Sequence, residues 1–333
     1  EGEHAEVAIS ADGIHFSAGT RTGPCGDNSS IFYNPFRKKW VYSIRANAQL
    51  PDGRYVRARR YFECDDLIAG AAFHTEDTVF WQRCDDMDRL LCEPGIQFPQ
   101  AYPPQLYDLN CAAYESVMLG MFAILKGFDE CDNDICLRTG QPKHIDLHLG
   151  YSRDGFHFAR PERAAFLRGT GVEGDWNRGY LHATGGLFLR RGDELLFPIG
   201  GFSAQSPKLG KYLYAGASTG IAVLRRDGFA SMNARYSAKS LTTRALVFSQ
   251  GDALFVNANA REGFLRAEIL DAQGHAIPGF SLDDCLSAQA DGCAQILRFR
   301  GGSLAPLRDT PIRIRFQALN CALYAFWVAE AHS

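Results

Sequence analysis

Short runs of alternating apolar and polar residues, separated by Gly, Asn, Asp and Pro, dominate this chain and predict β-strands almost throughout. The clearest hairpin pairs Ser30-Ile31-Phe32-Tyr33 with Lys39-Trp40-Val41-Tyr42-Ser43-Ile44-Arg45 across a turn at Asn34-Pro35. Pro51-Asp52-Gly53 marks the next turn, and a strand from Tyr55 to Phe62 follows it. Residues 5–16 read as a strand ending in an Asp-Gly turn. His144 to Phe158 reads as an alternating strand pair, and Leu181 to Phe202 as a hairpin turned at Arg191-Gly192-Asp193. The apolar tract from Tyr107 to Leu125 fits either a buried strand pair or a helix by periodicity alone. Residues 64–106, with an acidic cluster and a Pro-rich tract from Pro94 to Pro104, are the least regular.

A repeated phrase decides in favour of strands. Ser10-Ala11-Asp12-Gly13-Ile14-His15-Phe16 returns 142 residues later as Ser152-Arg153-Asp154-Gly155-Phe156-His157-Phe158. A weaker copy, Arg225-Arg226-Asp227-Gly228-Phe229-Ala230, follows after a further 73. The spacing implies a unit of about 71–73 residues, with a degenerate copy expected near residue 83, where Trp81 and Cys84-Asp85-Asp86-Met87-Asp88 stand. Units that cannot bury an apolar face alone stack on neighbours. The expected fold is therefore all-β, with β-propeller blades over residues 1–236. After residue 236, short strands with turns every 8–12 residues predict a β-sandwich over 237–333. The chain opens inside a repeat, which leads to the expectation of further blades upstream.

Composition narrows the partners. A net charge of −3 with no long basic block gives a nucleic-acid partner no support. No apolar run reaches the ~18 residues of a membrane span. Ten cysteines, with Cys131 and Cys136 or Cys285 and Cys293 placed to close short loops, predict an extracellular or periplasmic, oxidising setting; buried free thiols are the alternative. Asp129, Asp132 and Asp134 hint at calcium, but their loop lacks the Gly and terminal Glu of an EF-hand. No cofactor is expected.

Two carboxyls flanking one bond are the minimal equipment for glycosidic cleavage. Asp27 stands immediately before an apolar strand. Glu115 is a lone carboxylate in an apolar tract, where burial would raise its pKa toward that of a general acid. Asp85 and Asp88 offer a third carboxyl, whereas Asp12 and Asp154 belong to the repeat and read as turn residues. His182, Arg178, Arg153, Arg45 and Asn28 are candidates for contact with sugar hydroxyls or for holding the carboxylates, and Trp81, Trp176 and Tyr114 for stacking on sugar faces.

The segment from Gly26 through Arg45 resembles a blade of bacterial proteins similar to glycoside hydrolase families 32 and 43, and Ala113 through Gly120 resembles a second segment of that group. Ser152 to Phe158 and Thr219 to Met232 are similar to later blades. Leu241 to Arg244 and Pro278 to Ser281 are similar to its carboxyl-terminal sandwich. The resemblance implies a five-bladed propeller, of which this chain carries three to three and a half blades, acting on glycosidic bonds, often of furanose sugars. It implies an Asp base or nucleophile at Asp27, a Glu acid at Glu115 and a second Asp, at Asp85 or Asp88, that tunes the acid. Asn28 stands where the resemblance leads one to expect Arg. The expected function is hydrolysis of an oligo- or polysaccharide. The alternatives are a non-catalytic carbohydrate-binding propeller, and a phosphorylase or transferase whose phosphate pocket would come from Arg57, Arg59 and Arg60.

Overall fold

The computed structural model describes residues 3–90, 103–126, 136–138 and 140–331, apart from the side chains of residues 89 and 90. These residues are nearly all β. They divide into two units, one within Glu1–Leu189 and Leu196–Ala222, the other within Arg190–Leu195 and Val223–Ser333.

The first unit begins with a two-stranded ribbon, β1 (His4–Val7) and β2 (Thr20–Pro24). An antiparallel four-stranded sheet follows in chain order: β3 (Ser30–Asn34), β4 (Lys39–Gln49), β5 (Tyr55–Cys64) and β6 (Val79–Arg83). A short helix, α1 (Asp86–Leu90), follows β6. The second four-stranded sheet repeats the plan with β7 (Gln105–Tyr114), β8 (Val117–Lys126), β9 (His144–Ser152) and β10 (Phe158–Ala159). The third contains β11 (Gly179–Ala183), β12 (Leu189–Arg191) and β13 (Glu194–Phe202). A small ribbon, β14 (Gln205–Ser206) with β15 (Gly210–Lys211), precedes β16 (Ala217–Arg225), which pairs with β13. The ambiguous apolar tract is thus the β7–β8 hairpin, with Tyr114 opposite Val117.

The first strands of the three sheets lie side by side. Ser30 Oγ donates to the Leu109 carbonyl at 2.9 Å, and Arg59 donates to the carbonyls of both Asn28 and Tyr107. The same offset of 79 residues relates Asn28 to Tyr107 and Ser30 to Leu109, so β3 and β7 run in the same direction. Tyr107 in turn meets Tyr180, and the Asn110 amide meets the Ala183 carbonyl, both at an offset of 73. The amino-terminal ends of β3, β7 and β11 therefore gather at one end of the unit. A shared core lies between the first two sheets, built from Phe32, Val41, Tyr61, Trp81, Leu109 and Phe122 with their neighbours.

The repeated phrase folds into one turn twice. In the first copy, Ser10 Oγ accepts the Gly13 amide at 2.8 Å, and Asp12 Oδ1 accepts the amides of Ile14 and His15, each at 2.8 Å. In the second, Ser152 Oγ accepts the Gly155 amide at 2.8 Å. Asp154 Oδ1 accepts those of Phe156 at 2.9 Å and His157 at 2.8 Å. Each glycine is left-handed, with φ of 74° and 76°. The third phrase departs: Asp227 itself takes φ 60°, and its carboxylate receives the Asn257 amide. No such turn stands at residue 83. Trp81 lies in β6, and the related turn of that sheet uses Asp66, whose Oδ1 accepts the amides of Ile68 and Ala69.

In the second unit, β17 (Met232–Ala234), β24 (Cys321–Ala329), β19 (Ala253–Asn259), β22 (Asp291–Phe299) and β21 (Cys285–Leu286) form a five-stranded sheet. β18 (Lys239–Thr242), β23 (Arg313–Leu319) and β20 (Phe264–Leu270) form a three-stranded one. Both contribute to one core around Leu254, Val256, Leu265, Ile269, Ile314 and Phe316.

The expected loop-closing disulfide between Cys285 and Cys293 is absent. Both are free thiols: Cys285 is buried and accepts the Ala267 amide, and Cys293 lies beside Arg225. Cys136 is free and buried, while Cys131 and the calcium candidates Asp129, Asp132 and Asp134 lie outside the described residues. Among the described residues no helix is long and apolar enough to cross a membrane.

The two turns differ in what their glycines face. A Cβ on Gly155 would lie 2.3 Å from the Asn34 amide nitrogen, which donates to the Asp154 carbonyl, whereas a Cβ on Gly13 meets nothing within 4 Å. Gly13→Ala is expected to cost about 1 kcal/mol from backbone strain alone. Gly155→Ala is expected to cost about 2–4 kcal/mol, since it adds displacement of a buried partner. Urea unfolding of both variants measures the difference.

Candidate active site

Asp27 sits in the loop before β3, half exposed, with its carboxylate on the guanidinium of Arg45 from β4. Ser29 holds that arrangement from below: its hydroxyl accepts the Arg45 amide at 3.0 Å and donates to the Gly26 carbonyl at 2.9 Å. Asn28 has a left-handed backbone, φ 55°, which turns its carbonyl onto Arg59.

Glu115 lies elsewhere. It forms the tip of the β7–β8 hairpin, exposed and at φ 49°. Asn28 is level with Tyr107, and eight residues of strand separate Tyr107 from Glu115, roughly 25 Å at ~3.3 Å per residue. Asp27 and Glu115 therefore stand at opposite ends of the sheets, and the expected pairing of these two carboxyls is not formed. The apolar residues that made Glu115 look buried belong to two strands, and the reversal between them pushes it into water. Tyr114 beside it packs edge-on against Phe188.

The carboxyl at Asp27's end is Asp108, which the sequence reading passed over. A bulge between Leu106 and Asp108 shifts the register against β8. The side chain is buried: Oδ2 accepts the Asn110 amide at 2.5 Å, and Oδ1 has no hydrogen-bond partner. Burial raises its pKa to about 6, against the pull of the nearby Arg59 charge. The legible signal was position: Asp108 lies in the first half of a first strand, in the polar phase Asp108-x-Asn110 of an otherwise apolar run.

Arg59 is fully buried between the two. Desolvation lowers its pKa to about 10, and Asp108 and Asp27 counter that effect. Arg57 donates to the Gln105 side chain at 3.1 Å and lies over the Tyr107 ring. Arg60, on the opposite face of β5, is bound to Thr78, so the three arginines do not converge on one phosphate pocket.

His182 completes this end of the unit. It packs against Tyr107 and Tyr180, and its pKa falls to about 4, first through burial and then through Lys143, with Asp27 opposing. It is a neutral imidazole at neutral pH. The Tyr107 and Tyr180 hydroxyls are 2.9 Å apart, and the pKa of Tyr180 is raised by burial and by its bonds to Tyr107 and Tyr214. Tyr180 holds φ 52° at the start of β11.

The remaining candidates fall outside this cluster. Trp81 is 6% exposed, donates to the Phe156 carbonyl at 2.7 Å and packs against Phe32, Tyr61 and Phe158; it offers no open face for a sugar. Asp88 is held by Arg160 at 2.7 and 2.6 Å, and Asp85 by Arg163 at 2.9 Å. Burial acts to raise the pKa of Asp88, but the Arg160 fork prevails and lowers it. This network ties the α1 region to residues 160–163. Arg178 is buried and donates to the Gly140 carbonyl, and Arg153 binds Ser116. Trp176 is partly exposed and packs against Gly201 and Gly220.

No protein-family model matches the chain, and no curated protein matches it. Among solved structures, similarity is found to an N-acetylgalactosamine deacetylase from F. plautii in complex with blood group B trisaccharide, at 13% identity and TM-score 0.33. That match covers 59% of this chain, which spans 48% of the deacetylase. A fructofuranosidase from Schwanniomyces occidentalis complexed with fructosylnystose matches at 10% identity and TM-score 0.31, over 96% of this chain and 74% of that one. The Bombyx mori GH32 beta-fructofuranosidase matches at 8% identity and TM-score 0.23, over 99% and 86%. Likenesses this distant fix no residue correspondence.

Arg59→Met is expected to destabilise the chain by about 3 kcal/mol, because it frees two buried carbonyls and leaves Asp108 without a counter-charge. Denaturant unfolding checks the loss, and Asp108, followed by carboxyl NMR, is expected to titrate above pH 6 in that variant.

Proposed function

We propose that the first unit is part of a β-propeller, that the second is a β-sandwich, and that the protein hydrolyses a glycosidic bond of an oligo- or polysaccharide at the end where β3, β7 and β11 begin. The observation that carries this reading is a pair of carboxyls at one end in opposed environments. Asp27 lies in water on a cation, and Asp108 lies buried with its pKa raised to about 6. Such a split suits the division into base or nucleophile and general acid. Asp108 would protonate the leaving oxygen, and Asp27 would attack the anomeric carbon or activate water. Neutral His182 would hydrogen-bond a sugar hydroxyl, backed by the buried Tyr107 and Tyr180 hydroxyls that bond to each other. Asp85, Asp88 and Glu115 have no part in this mechanism.

Asp108 is only 5% exposed, and this favours a second reading in which the same end binds sugar without cleaving it. A panel of aryl glycosides, furanosides included, separates the two. Under the hydrolase reading, Asp108→Asn and Asp27→Asn each lower kcat/KM by about 10²–10⁴-fold, and Glu115→Gln leaves it unchanged. The acid limb follows from the sign of the shift: Asp108 holds its proton below pH about 6, so turnover falls as pH rises through that value. Sugar binding with no turnover by the unaltered protein supports the binding reading.

A further inference from the structure

A cavity of about 270 Å³, lined by Gly26 and by Arg45, the cation that holds Asp27, opens ahead of the start of β3. Arg45, Arg60, Thr75 and Thr78 supply its polar wall, and Ile44 and Pro24 its apolar one. Gly26 keeps it open: a Cβ there would lie 2.9 Å from Arg45 Cδ. The two arginines differ. Arg45 is neutralised by Asp27, whereas Arg60 meets no carboxylate among the described residues. Its guanidinium is fixed in place by Thr78, with Nε donating to the hydroxyl and Nη2 to the carbonyl, the latter at 2.5 Å. Thr78 is buried, and its hydroxyl donates in turn to the Thr75 carbonyl at 2.7 Å. A pre-oriented, unneutralised guanidinium in a cleft selects a carboxylate over a hydroxyl, because its charge is strengthened where water is partly excluded. Glu3, exposed at the rim, is the one carboxylate among the described residues that line the cavity.

We infer that this cavity receives the carboxylate of an acidic sugar, a uronic acid, next to the bond held at Asp27. The inference rests on the carbohydrate reading of the site and names its substrate class. Arg60 is a specificity residue in this scheme, and takes no part in bond cleavage.

Isothermal titration with D-glucuronate and D-galacturonate against D-glucose and D-galactose tests it. At least one uronate is expected to bind about 10- to 100-fold more tightly than its neutral counterpart, a margin that narrows with added salt. Arg60→Gln is expected to erase that preference, Arg60→Lys to retain part of it, and Glu3→Gln to widen it. Thermal unfolding of each variant confirms that it is folded. Equal binding of acidic and neutral sugars, no binding of any of the four, or a preference that survives Arg60→Gln overturns the inference. The hydrolase reading fails separately: a uronate preference without turnover sinks that reading alone, whereas turnover of neutral glycosides without uronate preference sinks this one alone.

Discussion

A single buried guanidinium holds the first two sheets in register. Arg59 reaches from the third strand of one sheet to two carbonyls, that of Asn28 in the loop before β3 and that of Tyr107 on β7. Those carbonyls are free because the chain is irregular at both places, left-handed at Asn28 and bulged before Asp108. A cation of this size, fully buried, is costly unless anions lie near. Asp108 and Asp27 meet that need, and both stand at the end where the first strands begin. The demand that stabilises the junction is therefore the same one that concentrates ionisable groups there. That clustering is a by-product of how the sheets are joined.

That coupling explains the perturbed groups as one system. Asp108 is raised by burial and restrained by Arg59; Arg59 is lowered by burial and restrained by Asp108. His182 stays neutral first because it is buried and then because Lys143 lies near. Each shift is a statement about desolvation first and about charge second, which is the usual ordering in a site that excludes water.

The strand content was legible because period-two alternation and Asp-Gly turns are local signals. The position of Asp27, in a polar loop ahead of an apolar strand, was legible for the same reason. Glu115 was misread because an apolar tract carries no mark of where it reverses: two buried strands joined by a two-residue turn look like one buried element. Asp108 was missed because its significance lies in the 79-residue offset that sets it beside Asp27's strand, a relation no window reveals. Trp81 and Asp88 were drawn toward the site by residue type, and the structure uses both as joints, one apolar and one ionic. The pair Cys285 and Cys293 failed as a guide because sequence proximity does not orient two thiols: the thiol of Cys285 faces the Ala267 amide in the core, and Cys293 faces Arg225.

The doubled turn at Asp12 and Asp154 keeps the same hydrogen bonds in two unlike settings. In one, the apolar residues that follow are partly buried beside Trp81 and Tyr61; in the other, Ile14 and Phe16 are 77% and 62% exposed. The turn is thus closed by its own serine and aspartate in both settings, and the bond from Asn34 to Asp154 is an addition in the second. A connector that carries its own instructions can be copied with its strands and set down beside any neighbour, so the number of sheets in such a chain can change by duplication without a new turn having to be invented each time.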